Sequence, residues 1–315
     1  MTPRDRRSLF MLAFDQRESF KKGLFGIDGT PTSEEAERIA DSKRVIFEGL
    51  LLAVADGAPL ASAALLVDEE FGAEVARAAK REFTLAMPVE KSGQPEFDFE
   101  YGAAFGEHIE AFDPDYAKVL VRYNPEGDAA MNTRQLARLA ELSLWLRVHG
   151  RRFLIELLVP AEPVQLQKVG GDRDRYDMEI RTELTLRTIA ESQAAGVEPD
   201  IWKVEGPDRR QDYEAISDQA RTGGRDGVAC VILGGGASRA KVEQRLHLEA
   251  GVPGFIGFAL GRTIWQQALE DWLARRLDRA GAVRLVADNY LSLVRAYEKA
   301  SMTHAAASSA PAGSA

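Results

Sequence analysis

Eight short runs rich in apolar, β-branched and aromatic residues recur from near the N-terminus to residue 260, each separated from the next by a longer stretch. The runs are SLFMLAF (8–14), AALLV (63–67), FTLAMPV (83–89), YAKVLVRY (116–123), RFLIELLV (152–159), DIWKVE (200–205), GVACVIL (227–233) and GFIGFAL (254–260). Strand patterns that alternate with helical ones imply a parallel sheet, because a parallel neighbour is reached only through a crossover. Residues 33–54 place Ile39, Val45, Ile46 and Leu50 roughly at helical spacing behind a Ser-Glu-Glu start. The segment 132–150 begins at Asn132, a good helix cap, and stops at Gly150. Eight such units predict an α/β fold of the (β/α)8 TIM-barrel type, with an open doubly wound sheet as the structural rival. The chain has 315 residues, and barrels of this kind routinely use about 250 residues or more as one domain. One barrel domain is therefore expected over 1–300. The remainder, 301–315, is Ala/Ser-rich and is expected to be a disordered tail, because small residues bury too little surface to order themselves.

Charge and residue inventory remove several function classes. Forty basic against 49 acidic side chains give a net charge of -9, which repels nucleic-acid phosphates and anionic membranes. No stretch approaches the ~18 uninterrupted apolar residues that a membrane span needs. The start MTPRDRRSLFMLAF runs directly into DQR without a small-residue cleavage site, so it does not read as a signal peptide. The lone Cys230 excludes a disulfide framework within the chain and fits a reducing cytoplasm. The four histidines, His108, His149, His247 and His304, fall in helical, turn or tail segments, which argues against an imidazole-rich metal site. No GxGxxG follows the first strand, which disfavours a dinucleotide fold.

In a barrel of this kind chemistry gathers at the C-terminal ends of the strands. Polar residues fall there: Asp15, Gln16 and Arg17 after the first strand, Glu90 and Lys91 after the third, Lys118 and Arg122 on the fourth, Glu156 on the fifth, Lys203 and Glu205 on the sixth. Strand alternation sets Ile201, Lys203 and Glu205 on one face and Trp202 and Val204 on the other. Large apolar side chains suit the helix-packed outer face, so Lys203 is expected to point inward, and Glu156 likewise. Burial favours the neutral amine of a lysine, and a neutral amine attacks a ketone to form a Schiff base. A nearby carboxylate then removes a hydroxyl proton and starts carbon–carbon cleavage. The pair fits an aldolase site; a Lys–Glu pair that only fills a polar barrel layer is the alternative. After the last two strands, Gly234, Gly235, Gly236, Gly261 and Arg262 stand where many barrels grip phosphate through backbone N–H groups.

These residues also carry a resemblance. The strings AFDQR, MPVEKSGQPEFDFEYG, AKVLVRYNPEGD, FLIELLVPA, GVEPDIWKVEG and GVPGFIGFALGRT resemble the 2-deoxy-5-keto-gluconate 6-phosphate aldolase-like domain of myo-inositol catabolism, often fused behind a sugar kinase. More distantly they are similar to the tagatose-bisphosphate aldolases. The match covers roughly residues 8 to 300. It implies a (β/α)8 barrel, Schiff-base chemistry, no metal and no cofactor. It further implies Lys203 as Schiff-base former and Glu156 as acid/base, with Asp15, Gln16 and Lys118 contacting the reacting part of the substrate. The chain departs from the family at Gly235, where the strand-seven loop often reads Gly-Arg-Gly, and at Gln16, where relatives often carry histidine. It contains no kinase domain. The expected protein is a cytoplasmic lyase with a phosphorylated sugar as its small-molecule partner. Its homo-oligomerisation is possible and its exact ketose phosphate open. A non-catalytic sugar-phosphate-binding barrel that partners a kinase is the rival function.

Overall fold

A computed structural model describes residues 8–309. Eight parallel strands close in sequence order: β1 (Leu9–Ala13), β2 (Ala63–Leu66), β3 (Thr84–Pro88), β4 (Tyr116–Arg122), β5 (Arg152–Leu158), β6 (Ile201–Glu205), β7 (Ala229–Leu233) and β8 (Phe255–Leu260), with β8 pairing back to β1. All eight coincide with the apolar runs, and the closed order excludes the open doubly wound sheet. The crossovers are helical: α1 (Glu18–Phe25), α2 (Ser33–Ala55), α3 (Glu69–Ala79), α4 (Phe105–Phe112), α5 (Ala129–Val148), α6 (Pro163–Lys168), α7 (Arg173–Glu179), α8 (Arg181–Ala194), α9 (Arg210–Arg221) and α10 (Arg239–Glu249), and α11 (Arg262–Leu273) follows β8. A last helix, α12 (Arg279–Ser309), packs across α2, α10 and α11.

Two apolar layers follow from strand alternation. Phe10, Leu12, Leu65, Val119, Phe153, Trp202, Val204 and Ile232 face the helices. Leu9, Met11, Ala64, Leu66, Ala86, Leu154, Ile201, Ala229, Val231 and Ala259 fill the barrel interior. Lys118, Glu156 and Lys203 lie two residues beyond Tyr116, Leu154 and Ile201, all three of which belong to that interior layer. They are therefore the next inward rung toward the C-terminal mouth. The register fixes the rung: Glu156 sits opposite Lys203 on β6 and opposite Leu120 on β4.

Barrel closure depends on one glycine. The β7–β8 register shifts between Cys230 and Ile232, and Gly257, in the bulged stretch, has φ of +135°. A Cβ there would stand 2.3 Å from the Leu9 carbonyl oxygen across the β8–β1 seam.

Two expectations change. The α5 cap is Asp128, whose side chain accepts from the Met131 N–H, so the helix starts earlier than Asn132. Asn132 is instead buried within α5, donating to the Asn124 carbonyl at 2.7 Å. Residues 301–309 of the expected disordered tail are helical, the end of α12 past its buried Tyr290, Val294, Tyr297 and Ala300. Residues 310–315 of the expected tail lie outside the described residues.

Candidate active site

At the mouth, five titratable side chains from β1, β3, β4, β5 and β6 meet. The Lys118 ammonium lies 2.7 Å from Asp15 Oδ2, 2.7 Å from Glu90 Oε1 and 3.0 Å from Glu156 Oε2. The second oxygen of Glu156 is 2.8 Å from Lys203 Nζ, so one carboxylate bridges two lysines. None of the five is more than 9% exposed. Arg17 braces the edge, pairing with Glu100 at 2.8 Å and donating to the Glu90 carbonyl at 2.6 Å.

The electrostatics assign different states to these groups. Burial works against charge on Lys118, but Asp15, Glu156 and Glu90 outweigh it and raise its pKa well above the ordinary lysine value. Burial opposes ionisation of Glu156 too, yet Lys118 and Lys203 prevail and hold its carboxyl below the usual glutamate range. At Asp15 burial is likewise overcome by Lys118, Lys203 and Arg17, and the carboxyl is lowered. At Glu90 burial wins over Lys118 and Arg17, and the carboxyl is raised. Glu156 is thus an ionised base at neutral pH. Lys118, locked as an ammonium by three carboxylates, is a poor nucleophile. Lys203 touches one carboxylate, which Lys118 shares.

Two adjoining cavities open onto this cluster. One, of about 230 Å³, is bordered by Asp15, Glu90, Lys91, Lys118 and Arg122. The other, of about 400 Å³, is bordered by Lys203, Glu205, Gly234–Gly236, Gly261 and Arg262. Gln16, Ser19, Leu120, Arg122 and Glu156 border both. Buried acceptors remain unpartnered here: Asp15 Oδ1, Gln16 Oε1 and Glu90 Oε2. Such acceptors, on residues that line the cavities, can receive the hydroxyl donors of a polar ligand.

Every residue singled out in the sequence borders one of the two cavities, but their engagements differ. Glu90 serves Lys118 through its side chain and Arg17 through its carbonyl. Lys91 is exposed at the rim. Arg122 donates to the Gln94 carbonyl at 3.1 Å. Gly235 and Gly236 adopt φ of +58° and +80° in the turn before α10, whose N-cap Ser238 accepts from the Lys241 N–H. Gly261 packs against the Ala13 carbonyl, where a Cβ would come within 2.4 Å, and the Trp265 indole N–H donates to that same carbonyl at 2.9 Å. Glu205 accepts from the Val159 N–H at 3.0 Å and lies 3.4 Å from Arg181; burial raises its carboxyl against the pull of Arg181.

Sequence reasoning missed one buried pair. Lys43 of α2 donates to the carbonyls of Phe14 at 2.9 Å and Gln16 at 3.1 Å, and pairs with Asp68, which also caps α3 by accepting from the Phe71 N–H. It fastens the backbone on both sides of Asp15. The signal was present: Lys43 sits among Ile39, Val45, Ile46 and Leu50, so a lysine occupies a core-facing helical position.

Taken together, the closed parallel barrel and the titratable residues converging at its C-terminal mouth define the chain as a (β/α)8 barrel of the kind that carries its site on strand ends. The chain belongs to the family described as "uncharacterized protein conserved in bacteria (DUF2090)", which matches residues 1–301. None of the curated proteins matches it in sequence. Its fold is similar to that of fructose-bisphosphate aldolase from Plasmodium falciparum, solved in complex with TRAP and a small-molecule inhibitor. That structure has a TM-score of 0.64 at 14% identity, over 93% of this chain and 92% of that one. It is also similar to fructose-bisphosphate aldolase from Slackia heliotrinireducens, with a TM-score of 0.56 at 16% identity, over 91% of this chain and 86% of that one. Likeness at such identity establishes the barrel and leaves chemistry to the site.

Proposed function

We propose that this chain is a Schiff-base-forming aldolase, a lyase that cleaves a phosphorylated keto sugar acid, with 2-deoxy-5-keto-gluconate 6-phosphate as the substrate. The observation that carries the reading is the Glu156 carboxylate shared by two buried lysines, one locked as an ammonium and the other held by this single contact. Lys203 attacks the C5 ketone and, with loss of water, forms an iminium. Glu156, held ionised, removes the C3 hydroxyl proton; the C3–C4 bond breaks and its electron pair passes into an enamine. Malonate semialdehyde leaves. The enamine takes up a proton at C4, and water releases dihydroxyacetone phosphate and free Lys203. Lys118 stabilises the oxygen at which charge changes, and the unpartnered acceptors of Asp15, Gln16 and Glu90 accept hydrogen bonds from the substrate's hydroxyl groups. The phosphate goes to the loops carrying Gly234–Gly236, Gly261 and Arg262, which border the same cavity as Lys203. No metal is required in this scheme, because the Lys118 ammonium already occupies the centre of the three carboxylates.

Borohydride reduction in the presence of substrate tests the assignment. The expected adduct maps to the peptide containing Lys203, and Lys203→Met abolishes it. An adduct on Lys118 or Lys91 would keep the aldolase class and move the nucleophile. A bound ketose phosphate that leaves no lysine trapped would favour a non-catalytic sugar-phosphate-binding barrel.

A further inference from the structure

The cations around the two cavities divide into paired and unpaired. Lys118, Lys203 and Arg17 each hold a carboxylate. Among the described residues Lys91, Arg122 and Arg262 have none. The unpaired charges are spread along the site: Arg262 beside the glycine loop, Lys91 in the cavity that holds Asp15 and Lys118, and Arg122 at the boundary, bordering both cavities. The geometry points to Arg122, assisted by Lys91, as the group that selects a terminal oxyanion on the aldehyde fragment of the substrate, an inference that rests on the aldolase reading above.

The placement follows from the division of the site. Lys203 borders only the larger cavity, with Arg262 and the glycine loop, while Glu156 borders both. A ketose bound through its carbonyl to Lys203, with phosphate toward Arg262 and its hydroxyl proton at Glu156, projects its far end past Glu156 into the smaller cavity. There it meets Arg122, four residues beyond Lys118 on β4 and so on the same inward face. Arg122 is half-buried, and its one hydrogen bond, to the Gln94 carbonyl, leaves most of its five N–H donors free for a bidentate oxyanion. The acids nearby do not neutralise it. Glu18 pairs with Lys21, Glu90 with Lys118, and Glu96 with Arg134 and Arg138. A partly buried guanidinium without an anionic partner loses solvation that a ligand anion restores. The site is therefore built for a substrate charged at both ends.

The test uses the reverse reaction of the full chain: dihydroxyacetone phosphate added to malonate semialdehyde, to glyceraldehyde 3-phosphate and to neutral propanal. The wild type is expected to prefer an anionic acceptor over propanal by about tenfold or more in kcat/KM, the range of one charged hydrogen bond. The better of the two anions distinguishes carboxylate from phosphate. Arg122→Gln is expected to collapse the preference, and Lys91→Gln, at an exposed position that the fold does not need, to reduce it. A preference that survives both substitutions, or a wild type without one, overturns the inference while the aldolase reading stands. Failure of borohydride to trap dihydroxyacetone phosphate on any lysine of the wild type overturns the aldolase reading and this inference with it.

Discussion

Lys118 and Lys203 lie on adjacent-but-one strands of the same inward rung, yet removing them should have opposite consequences for folding. Lys118 is the only ammonium in contact with both Asp15 and Glu90 among the described residues. In Lys118→Met those buried carboxylates lose their one ammonium contact and keep only the more distant charges of Arg17 and, for Asp15, Lys203; breaking a buried pair costs about 3–5 kcal/mol. In Lys203→Met the stranded carboxylate, Glu156, keeps Lys118 at 3.0 Å. The expected outcome is a large drop in the denaturant midpoint for Lys118→Met and a small one for Lys203→Met, although both abolish turnover. Equal losses would show that the two lysines share the structural load. Strand alternation made Lys203 and Glu156 legible as inward neighbours. The convergence of Asp15, Glu90 and Glu156 on Lys118 was not legible, because it depends on the angle at which β1 and β3 loops turn over the mouth, which periodicity does not encode.

Strands were easy to read and helix ends were not, for a physical reason. A barrel strand is buried on both faces and announces itself as a dense apolar run. A cap is a single hydrogen bond, and Asp128 and Asn132 are equally able to form one. Tertiary packing decided between them by burying Asn132 against the Asn124 carbonyl. The β8 strand carries a second feature that an apolar run hides. At Gly257 a side chain would adopt a φ of +135° and meet the Leu9 carbonyl. The dihedral alone costs about 1–3 kcal/mol for a residue with a Cβ, and the opposing atom is backbone that cannot swing away. Gly257→Ala is expected to lose at least that much stability. Hydrogen exchange should report the loss first along β1 and β8, and a variant as stable as the wild type would show that the seam can widen freely.

At the scale of the whole chain, the eightfold alternation pointed to a barrel without closing it, since an open doubly wound sheet alternates in the same way; closure lies in the pairing of β8 with β1. The role of α12 was not predicted, because an Ala/Ser-rich sequence gives little sign that a helix will continue through it. The family match ends at residue 301, shortly after Tyr297 and Ala300, the last buried apolar side chains of α12 among the described residues. Beyond them Met302 is 66% exposed, while the His304 imidazole donates to the His247 carbonyl at 3.2 Å and its ring lies 5.3 Å from the His247 ring. Ending the chain after Ser301 removes these His304 contacts and should cost about 1–2 kcal/mol while leaving borohydride trapping unchanged. A markedly less stable product would assign the final turns a structural role.

The seam that joins the last strand to the first also sets an order in time. Asp15 follows the first strand to leave a ribosome, but the Ala13 carbonyl beside it receives its hydrogen bond from Trp265, and the Phe10 carbonyl receives one from Tyr290. Those partners are 252 and 280 residues away in the chain. At ~5–20 residues per second, the interval is roughly 10–60 s. Until it has passed, β1 has no β8 beside it and presents an unpaired apolar edge, a template for association with other chains. The nascent protein therefore holds Asp15 in an unfinished wall for most of the interval. Its need for protection from aggregation is concentrated there and ends only as the final helices emerge.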